Sequence, residues 1–117
     1  VIVHLAVALL HVFPRLVYPA VPTTTSVVVA INALGPVWIT WFGATGICLV
    51  VALRTHRLLH VAHLLTGSSW LAYAFALEVG AIAAHGTHLL PVCTIALAAV
   101  HGILAFSYNA DMREAVR

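Results

Sequence analysis

Three carboxylates occur in the 117 residues, and only Glu78 falls inside a long apolar stretch, Leu58–His85. A charged side chain in the middle of such a stretch costs about 2.5–3.5 kcal/mol to insert into a membrane. An acid kept there serves a proton or ion relay, a gate or a pore lining, or bonds to a neighbouring helix. Eight histidines accompany it. His56, His60, His85 and His88 fall at or near polar turns, where an imidazole needs no special role. His101 lies mid-segment, with Thr94 and Tyr108 one heptad away on the same helical face, so these three form a polar seam directed into a bundle, in company with Glu78. A haem b held by two histidines is the alternative chemistry, and it needs ligands from two helices at one depth. Residue counting favours His11 with His101 and sets His63 about 8 Å too near one edge. A zinc site at His85, His88 and Glu78 is set aside, because seven residues of helix separate Glu78 from His85 by about 10 Å. No CxxC, HExxH or glycine-rich phosphate loop is present, and Ser68–Ser69 has no acidic partner for hydrolase chemistry. Neither a catalytic residue nor a metal site is therefore expected.

The elements that position these residues follow from composition. The chain is 63% hydrophobic and 7% charged, with mean hydropathy +1.10, whereas soluble domains carry about 25% charged residues. The expectation is an all-α integral membrane bundle, a single domain over 1–117, with the lipid bilayer as its surroundings. Four antiparallel spans are expected near 1–21, 36–53, 58–84 and 89–108, joined by tight turns, with 109–117 as a cytoplasmic tail. The first is the least regular, since Pro14, Arg15, Pro19 and Pro22 crowd its second half; it either spans with a kink or ends early at the interface. Val27–Leu34 reads as an interfacial helix or an extension of the next span, and Trp38 and Trp41 suit the headgroup level. Arg54 and Arg57 share one side with Arg113 and Arg117, and the HGTH turn carries no arginine. That asymmetry places the RTHR turn and the C-terminus in the cytoplasm, in a bacterial inner membrane. Net charge is +2 without a basic cluster, so no nucleic-acid partner is expected. Cys48 and Cys93 read as small packing residues at different depths, and no cleavable leader is evident.

Within Leu58–His85 one flank is a ladder of small residues, Ser68, Ala72, Ala76, Gly80 and Ala84, at i, i+4 spacing. Such ladders let membrane helices approach closely. The opposite flank carries His60, His63, Gly67, Glu78 and His85. Together they predict a helix packed on both sides, in a homo-oligomer or against other membrane subunits.

In outline (a short chain, three or four spans, tight turns, a charged tail) the sequence resembles the holin-like membrane proteins of phages infecting actinobacteria. The resemblance implies a non-enzymatic protein that oligomerises in the cytoplasmic membrane and forms pores. It covers architecture and no motif; the short tail and the many histidines depart from it. A cytochrome b-like anchor and a proton-conducting module centred on Glu78 are the other two readings.

Overall fold

The computed structural model describes residues 2–13 and 27–115, and within them all regular structure is helical. Five helices follow one another: α1 Ile2–Val12, α2 Val27–Ala33, α3 Val37–Thr55, α4 Leu59–Ala83 and α5 Leu89–Ala115. Arg15, the three prolines beside it and the 22–26 linker lie outside the described residues, as do the last two positions of the chain.

Four full spans are not what the described residues give. Two helices, Val37–Thr55 and Leu89–Asp111, are long and apolar enough to cross a membrane. As described, α1 has 11 residues, a rise of about 16 Å against a core of about 30 Å. At 25 residues α4 is long enough, but Ser68, Ser69, Trp70, Tyr73 and Glu78 dilute its apolar side chains. The last helix, α5, continues without a break past the expected span end at 108 to Ala115.

The elements end where the chain's stereochemistry says they should. Pro36 precedes the first turn of α3, where its missing N–H is no loss. Between α3 and α4, His56 and Leu58 take left-handed φ values of 53°. After α4 the chain closes a Schellman motif: Gly86 N donates to Ala81 O at 2.8 Å and His85 N to Ile82 O at 3.3 Å. The left-handed residue of that motif is His85, φ 49°, at a position glycine usually fills.

Short turns make α3, α4 and α5 antiparallel neighbours. The closest packing is between α4 and α5. There Gly67 removes the side chain that would hold the helices apart: a methyl at Gly67 would lie 3.3 Å from Ala98 O and 3.4 Å from His101 Cβ. α1 fits onto α3 at Gly46, where a methyl would lie 3.3 Å from Leu5 Cδ2. It meets α4 and α5 through rings, with His4 against Trp70 and His101, and His11 against Tyr73. The core these helices enclose is aromatic: Trp38, Phe42, Trp70 and Tyr73 are buried with Ala8, Val28 and Ala76. Trp38, expected at a headgroup level, is in this core and donates from Nε1 to Val28 O at 3.0 Å. Trp41 stays half-exposed and donates to Ser69 Oγ at 2.7 Å.

Which flank of α4 is inside also differs from expectation. The buried residues are Ala62, His63, Thr66, Gly67, Ser69, Trp70, Tyr73, Ala74 and Ala76. The small-residue ladder crosses the edge of that arc: Ser68, Ala72 and Ala84 are exposed, Gly80 is half-buried and Ala76 is buried. Each four-residue step turns the ladder by about 40°, so it winds from the outside at Ser68 to the inside at Ala76 and cannot form one continuous seam.

Candidate functional site: a buried imidazole cluster

Histidines from three helices meet in the interior. His63 on α4 and His101 on α5 approach with Nδ1 atoms 2.9 Å apart, so one ring donates its N–H to the bare nitrogen of the other. A neutral pair of this kind holds two different tautomers, one protonated on Nδ1 and the other on Nε2. Tyr108 stacks on the His63 ring, centroids 5.5 Å apart and planes inclined by 16°. His4, 1% exposed, stands edge-on to His101 at 5.5 Å and to Trp70 at 4.9 Å. Gly67 is what permits the α4–α5 pair, since His101 Cβ occupies the space a side chain there would need.

His11 has other company. Its Nδ1 bonds Val7 O at 2.8 Å, which fixes the proton on Nδ1 and leaves Nε2 to accept. Tyr73 Oη lies 3.4 Å from that Nε2, a long hydrogen bond with the phenol as donor. His11 and His101, paired as haem ligands by residue counting, thus have separate partners, while His63, set aside for its depth, is the one that meets His101.

The depth argument fails at the turn between α4 and α5. His88, the last residue before α5, donates from Nδ1 to Glu78 Oε1 at 2.9 Å. The chain therefore folds back along α4, and α5 starts about level with Glu78 instead of level with Ala84. Six residues of helix amount to about 9 Å, which is the offset that counting left between His63 and His101.

That bond also settles where Glu78 is. It was expected among the interior polar groups with His101, Thr94 and Tyr108, but its side chain is 38% exposed and its partner is a turn histidine. Thr94 is buried and donates to Leu90 O and Pro91 O of its own helix. Tyr108 does join the cluster. Cys48 and Cys93 are free and exposed, so neither packs in the core.

Beside the cluster, three buried polar atoms lack a partner among the described residues: His4 Nε2, Thr66 Oγ1 and Trp70 Nε1. Their residues adjoin, with His4 against Trp70 and Thr66 one turn before it on α4. Buried polar groups in that condition take up water or a ligand. Neither His4 nor Thr66 was picked out by its type, although their places were legible: His4 shares a face with His11, and Thr66 falls at i+3 from His63. Among the described residues no group of three or more His, Cys, Asp or Glu could hold a metal ion.

Compared with protein families, curated proteins and solved structures, the chain has no match.

Proposed function

We propose that the chain is a non-enzymatic, multi-pass protein of a bacterial cytoplasmic membrane whose interior imidazoles pass protons between its helices. The bilayer setting is supported by the placement of apolar side chains. Only 33% of the span in α3 and 17% of that in α5 is buried inside the protein, whereas the core helix of a soluble protein is mostly buried. Ile47 and Val51 on α3, Leu64, Leu71 and Phe75 on α4, and Val92, Ile103 and Phe106 on α5 all face outward. His4, His11, His63, Thr66, Thr94 and Tyr73 are buried inside, as polar and ionisable groups in membranes tend to be. Arg54 and Arg57 support a cytoplasmic side for the α3–α4 turn and, with it, for the C-terminal end of α5.

The observation that carries the proton reading is the His63–His101 hydrogen bond. A proton arriving at Nε2 of the donor ring makes it an imidazolium. That ring gives its Nδ1 proton to the partner, which releases its own from Nε2. One proton enters, one leaves, and the two tautomers exchange; a ring flip or return transfer resets them. Tyr108 and His4 flank the pair, and the partnerless atoms of His4, Thr66 and Trp70 extend polar character toward Tyr73 and His11.

The test is proton flux into liposomes holding the purified protein, read with an internal pH dye under a potassium-diffusion potential. Flux should fall about tenfold or more in His63→Phe and His101→Phe, the scale of losing one proton-transfer group, while Glu78→Gln, altered only at the exposed end, should keep most of it. Undiminished flux in both histidine variants overturns the reading. So does a Soret band that disappears in His101→Ala, which would turn the cluster into a haem site.

Assembly with other membrane helices remains part of the proposal, and the exposed Ser68 and Ala72 support it. A holin-like pore between subunits is less well supported, because a pore wall needs a polar face turned outward and the cluster is enclosed within one chain.

A further inference from the structure

We propose that the groove between α4 and α5 beside the His63–His101 pair binds the head of a lipid-soluble quinone. The proposal rests on the bilayer setting above and not on proton flux. The groove holds about 350 Å³ and is lined by His63 together with Leu64, Gly67, Ser68, Ala98 and Gly102. Leu64 and Leu71 at its margin are exposed, so in a membrane its mouth opens to acyl chains, and a ligand enters sideways from the hydrocarbon.

The chemistry of the lining selects the ligand. The Ser68 hydroxyl is already committed to Leu64 O at 2.8 Å. Its oxygen can still accept, but a side chain able to donate to a ligand in one tautomer and accept from it in the other is found in His63, itself 5% exposed. Its Nδ1 is taken by His101, and its Nε2 bonds to nothing among the described residues. Walls without charge exclude phosphate or ammonium heads, whose desolvation nothing would offset. What fits is a flat, neutral head with a carbonyl or phenolic oxygen and an apolar tail left in the lipid. The volume is near the lower end for small-molecule sites, enough for one ring and the root of its tail. A quinone carbonyl accepts from His63 when Nε2 carries the proton, and a quinol hydroxyl donates to it when Nε2 is bare. Those are the two tautomers the pair exchanges.

Two glycines make the test clean. At Gly102, in the groove lining, a new Cβ meets nothing within 4 Å, so Gly102→Leu starts from open space and is directed at the groove. Gly43 on α3 is equally unobstructed, and Gly43→Leu is the control. Phosphatidylcholine nanodiscs carrying each protein are titrated with decylubiquinone, and tryptophan quenching is corrected for partition into empty discs. The expected result is saturable quenching, weakened about tenfold or more by Gly102→Leu and about tenfold by His63→Gln, the loss of one hydrogen bond, and unchanged by Gly43→Leu. Circular dichroism melting confirms that each variant is folded. Quenching no greater than partition, equal binding by the wild type and Gly102→Leu, or equal displacement by dioleoylglycerol overturns the proposal. Saturable binding in a protein that passes no protons would sink the relay and leave the quinone site; proton flux without binding would do the reverse.

Discussion

Gly67 is the residue on which the cluster most depends, because it decides how near α5 can come. Its close neighbours are a carbonyl oxygen and a Cβ, neither of which can swing aside as a side-chain tip could. Gly67→Ala should therefore move the helices apart by a few tenths of an ångström and cost about 1–3 kcal/mol, as overpacking does. Thermal unfolding in detergent measures the loss. Imidazole ¹⁵N spectra should show the His63–His101 bond lengthened. An unchanged melting temperature with unchanged imidazole signals would mean that the contact is slack. At this scale the sequence revealed which residue types matter and much less which of them meet. His101, Tyr108 and Thr94 were legible from heptad spacing on one helix. His4 and Thr66 stood at legible places, on a face with His11 and one turn from His63, but their significance comes from neighbours on other helices that no local pattern records.

At the scale of elements, the α4–α5 hairpin is set by its turn. Helix lengths and short connections could be read from hydrophobic runs and the RTHR and HGTH breaks. The fold-back could not, since it depends on a bond between Glu78 and His88, ten positions apart. The rotation of α4 was equally hidden: small residues four apart look like a straight ladder in sequence and wind across two environments in space. Glu78→Ala should free the turn while changing stability little, by about 0.5 kcal/mol, since the pair is exposed and screened. Register is the sensitive readout. Spin labels at Cys48 and Cys93, both free and exposed, report the distance from α3 to the start of α5, and Glu78→Ala should broaden that distribution. A distribution as narrow as the wild type's would show that the helices hold their own register.

For the whole molecule, the decisive contrast is between large apolar side chains left on the exterior and a cluster of imidazoles and hydroxyls enclosed beside an aromatic core. Composition alone made a membrane setting the expectation. The number of crossings is a finer matter, because α4 carries polar side chains that build the cluster where a plain span would carry apolar ones. Assembly belongs to this scale too. If α4 meets another copy or another subunit across Ser68 and Ala72, Ala72→Leu should shift the detergent-solubilised particle to the mass of one chain by light scattering, with no change in helix content. A mass unaltered by the substitution would remove that contact from consideration.

The manner in which α1 is attached bears on how the protein comes together. It is notched against α3 at Gly46, and it meets α4 and α5 through the ring tips of His4 and His11, with Ala8 in the shared core. Those tips have nothing to rest on until the α4–α5 hairpin has closed. The imidazole cluster is consequently complete only when α1 is seated on a closed α4–α5 hairpin.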